Sequence, residues 1–289
     1  MVLKVFNFAK IVYLFEAIKI QESIFALPFA YMGMMMASKG LPDLNIFFLI
    51  TLAMICVRTF GMSSNRLIDK DIDKLIPSKQ NRHLPLGKLS TNNMIFIIII
   101  SLILFLFISS QINKTTLILS PFAAAYVFLY SYSKRYTWMS SFLLGGALSI
   151  APSASWIAVT GNLDVEPLLL SLSIFFWASS FDIIYHMGDI EFHSKYGLHS
   201  IARRFGIKKS LLICRILDIS SIILFIILGI YSELSIVYFI GCILGFFILF
   251  YKHYIIVING INNSKIAFFK FNSFFSITIF SCTAIGILL

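Results

Sequence analysis

Charged side chains are scarce in this chain. Asp, Glu, Lys and Arg together make up only 12% of its 289 residues, whereas a soluble domain averages about 25%. Hydrophobic residues make up 59% of the sequence, and the mean hydropathy is +0.91. A soluble fold of this size cannot bury so much apolar surface. The composition therefore excludes a soluble globular protein and predicts that most of the chain lies in lipid.

Cysteine is also sparse, and the four cysteines form no C-x-x-C pair. They lie far apart, each inside an apolar run, at Cys56, Cys214, Cys242 and Cys282. This spacing does not fit a zinc motif or a redox motif. We expect these residues to be small hydrophobic side chains within helices.

Basic residues outnumber acidic residues, 23 to 13, which gives the chain a net charge of +10. The basic residues are spread between apolar runs and form no separate basic domain. Membrane orientation and anionic lipid headgroups explain them better than nucleic acid does. We therefore expect membrane lipid, and no nucleic acid, among the partners.

About nine apolar runs are long enough to form membrane helices, which need about 20 apolar residues each. Short separators rich in Gly, Pro and Asn lie between them, and no linker divides the chain. The sequence therefore predicts an all-α polytopic membrane bundle that forms one domain over residues 1–289. The predicted spans lie near residues 14–37, 44–64, 92–111, 115–133, 141–160, 166–186, 210–230, 234–251 and 267–288.

The basic residues are distributed unevenly between the two sides of this bundle. If the N-terminus is cytoplasmic, all of the 23 Lys and Arg residues except Lys39, Lys114 and Arg58 lie in or beside cytoplasmic segments. Cytoplasmic loops of membrane proteins carry an excess of Lys and Arg. We therefore predict a cytoplasmic N-terminus.

A first acidic cluster, Asn65, Asp69 and Asp73, follows the second predicted span. Residues four apart lie along one face of a helix, so two carboxylates and one amide oxygen share a stripe if the span continues as a helix. Mg²⁺ prefers oxygen ligands of this kind. Arg58 lies within the same span, seven residues before Asn65, and an arginine in a span is expected to face a polar cavity.

A second acidic cluster closes the sixth predicted span. Asp182, Tyr185 and Asp189 fall at i, i+3 and i+7 on one helical face, which His193 continues. Glu191 points elsewhere if the helix is regular. In the predicted topology both clusters lie on the cytoplasmic side.

Each cluster alone could be a solvated helix end with ordinary surface charge. Two phased clusters on one side favour a pair of cation sites that face each other across a cavity and bind a diphosphate. A membrane transporter is an alternative, because intramembrane charges also mark ion pathways, but a transporter site is expected near the bilayer midplane. A structural subunit would leave both clusters without a role.

Basic residues accompany both clusters. Arg82 follows the first cluster, and Lys134 and Arg135 close the fourth predicted span. Each of these residues could anchor the chain at the cytoplasmic surface. Beside cation-binding clusters, contact with phosphate oxygens explains them at least as well, because Arg and Lys pair readily with phosphate.

These segments resemble the UbiA-type family of membrane aromatic prenyltransferases. The stretch Ser64-Asn-Arg-Leu-Ile-Asp-Lys-Asp-Ile-Asp73 resembles the family's first aspartate-rich motif, N-x-x-x-D-x-x-x-D. Residues 81–87 are similar to the N-R-P-L-x-x-G segment that follows this motif, and residues 132–138 are similar to a K-R-x-T segment. Residues 181–200 resemble the second motif, D-x-x-Y-x-x-x-D, and residues 23–29 look like the family's first helix.

The resemblance covers residues 20–210, approximately, and implies a Mg²⁺-dependent transfer of a polyprenyl chain from polyprenyl diphosphate to an aromatic hydroxy acid. It assigns metal binding to Asn65, Asp69, Asp73, Asp182 and Asp189. It assigns catalysis to Asp69, Asp73, Asp182, Asp189 and Tyr185, and diphosphate binding to Arg82, Lys134 and Arg135. Arg58 is the candidate for binding the acceptor's carboxylate.

Within the family, the chain looks most like the bacterial 4-hydroxybenzoate polyprenyltransferases of quinone synthesis. Close relatives are thought to prenylate 1,4-dihydroxy-6-naphthoate in the futalosine route to menaquinone. The sequence does not separate these two acceptors, and it does not specify the length of the prenyl chain. The resemblance also implies a bacterial inner membrane and an active site on its cytoplasmic side.

One position departs from the family's pattern. The family usually has an Asp four residues after the one matched by Asp189, and this chain has His193 there. Imidazole is a poor ligand for Mg²⁺ and suits softer ions. The second cluster could therefore rely on Asp182, Asp189 and Glu191, or prefer Mn²⁺. His83 stands where the family usually has Pro, a change that we expect to be harmless.

Overall fold

The computed structural model describes residues 8–19, 23, 25–76, 79–260 and 264–289. Within these ranges every regular element is a helix, which confirms the predicted fold class. The α-helices are α1 (Phe8–Ile18), α2 (Leu27–Ser38), α3 (Leu44–Ile68), α4 (Lys70–Leu75), α5 (Thr91–Ile112), α6 (Lys114–Leu129), α7 (Ser140–Thr160), α8 (Val165–Met187), α9 (Ile190–Lys195), α10 (Ile201–Tyr231), α11 (Ile236–Asn259) and α12 (Ser264–Leu288). A short 3-10 helix, Tyr130–Arg135, follows α6.

Among the described helices, eight are long and apolar enough to cross a membrane. They correspond to the predicted spans from residue 44 onward. The largest difference lies in α10, which begins at Ile201 rather than near residue 210. Its first turns carry basic residues that lower the local hydropathy, and the backbone leaves helical geometry at Gly206 (φ 75°, ψ 166°) before the apolar part begins.

The first predicted span, 14–37, is not one helix. The first helix ends at Ile18, and Lys19 adopts a left-handed backbone conformation with φ of 50°. The second helix begins at Leu27 with Pro28 in its first turn, where the missing N–H of proline costs nothing. Residues 20–22 and 24 of the predicted span lie outside the described part. The sequence carried a signal for this break, because Lys19, Gln21, Glu22 and Ser23 interrupt the apolar run between the two helices.

Polar side chains begin three of the long helices. Ser90 accepts a hydrogen bond from the backbone N–H of Asn93, and Asn113 accepts one from that of Thr116. Ser200 accepts one from the backbone N–H of Arg203 at the start of α10. Each cap satisfies an N–H that has no partner within the helix, so these residues define where α5, α6 and α10 begin.

The described helices form two compact units. The first unit comprises Met1–Ser23 and Phe48–Tyr132. Its core contains Phe60, Phe105 and Ala124, from α3, α5 and α6. Gly61 allows α3 to approach α6 closely, because a Cβ at this position would lie 2.5 Å from a methyl carbon of Val127.

The second unit comprises Ile24–Phe47 and Ser133–Leu289. In it α8 packs between α7 and α10, and α12 packs against α2 and α11. Its core is aromatic. The ring of Trp177 contacts that of Phe29 edge-on and stacks on that of Phe275, with ring centroids 5.2 Å and 5.3 Å apart, respectively. The assignment of residues 1–289 to one domain stays a prediction.

Candidate functional site

The first acidic cluster lies at the junction of α3 and α4. Helix α3 ends at Ile68, and Asp69 stands between the two helices. The i to i−4 hydrogen bonds nevertheless continue: the N–H of Asp69 donates to Asn65 O at 3.0 Å, and the N–H of Asp73 donates to Asp69 O at 2.7 Å. The four-residue register of Asn65, Asp69 and Asp73 is therefore kept across the junction.

The two carboxylates of this cluster are buried. Asp69 is 2% exposed and Asp73 is 1% exposed, whereas the side chain of Asp71, in the same segment, is 92% exposed and pairs with Lys74. Burying a carboxylate is costly unless cations or hydrogen-bond donors compensate its charge. Asp71 is thus typical of an ordinary surface charge, whereas the buried pair Asp69 and Asp73 is typical of a cation-binding site. Two carboxylates and an amide oxygen are ligands that suit Mg²⁺.

Arg82 contacts this cluster directly. Its Nη1 donates a hydrogen bond to Oδ2 of Asp73 at 2.5 Å. The loop that carries Arg82 is attached to α1, because His83 pairs with Glu16 and stacks on the ring of Tyr13. The substitution of His for Pro at position 83 therefore contributes a contact that the sequence did not reveal.

Arg58 lies farther back along α3. Its Nη2 donates to the backbone oxygen of Lys19 at 3.4 Å, next to the end of α1. Arg66, which the sequence did not single out, is buried and donates from Nε to the backbone oxygen of Ala17 at 2.9 Å. Both arginines therefore hold the end of α1 against α3. The acceptor-binding role of Arg58 stays a prediction.

The second acidic cluster lies at the junction of α8 and α9. Asp182 and Tyr185 belong to the last turns of α8, and Asp189 precedes α9. The N–H of His193 donates to Asp189 O at 2.9 Å, so His193 follows Asp189 by one helical turn. The side chains of Asp182, Asp189 and His193 are buried, and Tyr185 is half-buried. Glu191 is exposed, which agrees with its predicted direction away from the cluster.

A histidine that the sequence reasoning missed joins this cluster. Ligand atoms of His186, Asp189 and His193 all lie within 4.8 Å of one another. Nε2 of His186 also lies 3.5 Å from Oδ2 of Asp182. The signal was available in the sequence, because residues 186, 189 and 193 have the i, i+3, i+7 spacing of one helical face.

Lys134 and Arg135 end the 3-10 helix and are half-buried. The backbone N–H of His199 donates to the backbone oxygen of Lys134 at 2.8 Å. Just before it, the N–H of Leu198 donates to the backbone oxygen of His193 at 3.0 Å. The loop after α9 thus connects the basic segment to the second acidic cluster. Contact of Lys134 and Arg135 with a diphosphate stays a prediction.

A family model described as the UbiA prenyltransferase family matches residues 26–274. The chain belongs to the UbiA prenyltransferase family. A 4-hydroxybenzoate octaprenyltransferase of Francisella tularensis subsp. novicida is 32% identical over 213 residues, which are 73% of this chain and 74% of the relative. The enzyme of the same name from Pseudoalteromonas translucida is 28% identical over 228 residues, which cover 78% of this chain and 77% of that enzyme.

Solved structures of UbiA homologues share the fold. The apo structure of a homologue from Aeropyrum pernix K1 matches with a TM-score of 0.84 and 25% identity, covering 92% of this chain and 98% of that one. A homologue from Archaeoglobus fulgidus, solved with DMAPP and Mg²⁺, matches with a TM-score of 0.71 and 20% identity, covering 92% and 98% of the two chains. UbiA membership establishes the chain as a prenyltransferase and confirms the resemblance inferred from its motifs.

Proposed function

We propose that this UbiA-family protein transfers a polyprenyl chain from polyprenyl diphosphate to 4-hydroxybenzoate, with Mg²⁺ as the cofactor. The observation that carries the proposal is the buried pair Asp69 and Asp73, held in helical register with Asn65 and contacted by Arg82. The acceptor is supported by the relatives named 4-hydroxybenzoate octaprenyltransferase. The cofactor is supported by the oxygen ligands of the first cluster and by the homologues solved with Mg²⁺.

In this mechanism Asn65, Asp69 and Asp73 hold one metal ion, and Asp182 with Asp189 holds a second. Bound metal would supply positive charge that makes the diphosphate a better leaving group. Arg82, Lys134 and Arg135 donate hydrogen bonds to the phosphate oxygens, and these bonds strengthen as negative charge develops there.

The transfer replaces a C–O bond with a C–C bond. The allylic C–O bond breaks, and the diphosphate leaves with the electron pair. The ring carbon ortho to the acceptor's hydroxyl then bonds to the allylic cation, and loss of the ring proton restores aromaticity. An apolar setting that excludes water protects the cation from hydrolysis. We assign Tyr185, which lies within a turn of Asp182 and Asp189, to this catalytic set, and Arg58 to the acceptor's carboxylate.

The membrane setting follows from the same proposal. The eight long apolar helices provide lipid-like surroundings for the prenyl chain. The distribution of basic residues supports a cytoplasmic N-terminus, and with that orientation both acidic clusters would lie on the cytoplasmic side. We propose the bacterial inner membrane as the location, in keeping with the bacterial relatives. Membership in a prenyltransferase family leaves the transporter alternative without an observation in its favour.

The experiment compares acceptors. Membranes that contain the protein are incubated with polyprenyl diphosphate, Mg²⁺ and either 4-hydroxybenzoate or 1,4-dihydroxy-6-naphthoate, and the lipid extract is analysed by mass spectrometry. Membranes without the protein are the control. Prenylated hydroxybenzoate is the expected product. Prenylated naphthoate alone would replace the proposed acceptor with the alternative one, and no product from either would contradict the proposed reaction.

A further inference from the structure

We propose that the second acidic cluster is a mixed nitrogen and oxygen site, in which His186, Asp189 and His193 bind a first-row transition-metal ion in preference to Mg²⁺. The proposal deepens the proposed function, and rests on it only for the role of the ion in transfer. Two of the three proposed ligands in this chain are imidazole side chains.

The three side chains are placed together by the backbone. His186 lies in the last turn of α8, Asp189 directly precedes α9, and His193 lies in the last turn of α9. The N–H of Asp189 donates to His186 O at 3.1 Å, and the N–H of His193 donates to Asp189 O at 2.9 Å. These bonds keep all three residues on one side of the α8–α9 junction.

Their separations suit a shared ion. One ligand atom from each residue lies within 4.8 Å of the other two, and the two imidazole centroids are 5.2 Å apart. Ligand bonds of about 2.0–2.2 Å to a metal place neighbouring ligand atoms about 3.0–3.5 Å apart. Side-chain rotations on metal binding would shorten the separations between the ligand atoms to this range. His193 is 1% exposed and Asp189 is buried, so the site is sheltered from competing water.

The ligand types select the class of ion. Imidazole suits Zn²⁺, Fe²⁺, Ni²⁺ and Cu²⁺, and two histidines with one carboxylate form the set that leaves open positions on Fe²⁺. Mg²⁺ instead takes carboxylates, phosphates and water. Asp182, the other proposed ligand of the second ion, lies beside this set, with its Oδ2 3.5 Å from Nε2 of His186.

The first acidic cluster provides the contrast within the same chain. Its candidate ligands, Asn65, Asp69 and Asp73, are all oxygen donors. The two clusters therefore differ in donor chemistry, and the chain is expected to bind Mg²⁺ at the first and a transition metal at the second.

The test is metal binding by the intact protein in detergent, after EDTA treatment and in the presence of Mg²⁺. Co²⁺ affinity is measured by calorimetric titration, and nitrogen ligation is read by pulsed EPR of bound Mn²⁺. We expect one tight Co²⁺ site and ¹⁴N couplings from imidazole. His193→Asp and His186→Gln are each expected to weaken Co²⁺ binding by at least about tenfold and to reduce these couplings.

Two variants serve as matched controls. His199→Gln removes an exposed histidine near the same loop, and Asp69→Asn alters the first cluster; neither is expected to change the nitrogen couplings. Thermal unfolding checks that each variant is folded. Parent-like Co²⁺ affinity in both histidine variants, or an absence of ¹⁴N couplings in the parent, would overturn the site. If the parent protein binds Co²⁺ with ¹⁴N couplings but transfers no prenyl chain, the proposed function would be contradicted and the metal site would still be supported.

Discussion

Arg82 donates a hydrogen bond from its guanidinium to the buried carboxylate of Asp73, with 2.5 Å between Nη1 and Oδ2. This contact attaches the loop after α4 to the first acidic cluster. Guanidinium carries five N–H donors in a fixed planar fork, so Arg82 can keep this bond and still donate to a phosphate oxygen. The same residue thereby positions a proposed metal ligand and a proposed leaving group.

Replacing Arg82 tests this double role. Arg82→Ala is expected to lower kcat/KM for the polyprenyl diphosphate by about 100-fold or more, because it removes hydrogen bonds that strengthen as charge develops on the leaving group. Arg82→Lys restores the charge without the planar fork and is expected to recover only part of the loss. Initial rates at varied donor concentration provide the measurement.

Lys88→Ala is the matched control, since Lys88 is an exposed cation of the same loop that lies over the ring of Tyr13. We expect its kcat/KM to stay close to that of the parent. Equal losses in the two variants would show that overall loop charge, rather than the contact with Asp73, matters.

A buried ion cluster joins α10 to α11 in the second unit. Oδ2 of Asp218 lies 2.7 Å from Nζ of Lys252 and 2.7 Å from Nε2 of His253. Removing one partner of a buried ion pair costs about 3–5 kcal/mol, because the other charge stays buried without compensation. Asp218→Ala is therefore expected to lower the thermal midpoint in detergent sharply.

A second variant separates charge from packing at this position. Asp218→Leu combined with Lys252→Met replaces the pair by apolar groups and is expected to recover part of the lost stability. Asp71→Ala, at an exposed carboxylate, is expected to unfold as the parent does. A double variant that is less stable than Asp218→Ala alone would contradict the buried-charge explanation.

Two glycines at close helix contacts predict different tolerance to a methyl group. At Gly33 a Cβ would lie 2.5 Å from the backbone oxygen of Pro152, and at Gly61 it would lie 2.5 Å from a methyl carbon of Val127. The backbone of Pro152 cannot move away from an added methyl group as easily as the side chain of Val127 can. Gly33→Ala is therefore expected to cost more stability than Gly61→Ala, within the range of about 1–3 kcal/mol for overpacking.

Thermal unfolding of the two single variants in one detergent compares them directly. Adding Val127→Ala to Gly61→Ala is expected to relieve the crowding at α3 and α6. No comparable relief is available at Gly33. A larger loss of stability in Gly61→Ala than in Gly33→Ala would contradict the prediction, because it would show that the side chain of Val127 does not move to accommodate the added methyl group.

The sequence predicted those features that depend on local spacing. Apolar runs located the long helices from residue 44 onward, and the four-residue spacing of Asn65, Asp69 and Asp73 predicted a register that persists across the junction at Asp69. Charge alone could not distinguish Asp71 from Asp69, because burial depends on packing that is set elsewhere in the chain.

Features that depend on distant contacts were not predictable. The left-handed conformation of Lys19, which follows the end of α1, is not specified by the polar residues around it. The predicted span 234–251 leaves Lys252 at the cytoplasmic edge, but α11 continues to Asn259. Lys252 is buried, at 1% exposure, and its Nζ pairs with Asp218. Residues 218 and 252 are far apart in sequence, and no local pattern pairs them.

The most direct test of the central claim compares Asp69→Asn with Asp71→Asn. Purified protein is assayed with polyprenyl diphosphate, 4-hydroxybenzoate and Mg²⁺, with and without EDTA, and prenylated product is quantified by mass spectrometry. We predict that Asp71→Asn matches the parent, that Asp69→Asn loses about 100-fold or more of the rate, and that EDTA abolishes transfer. Equal activity of the two variants, or transfer that is indifferent to EDTA, would contradict a buried metal site built on Asp69 and Asp73.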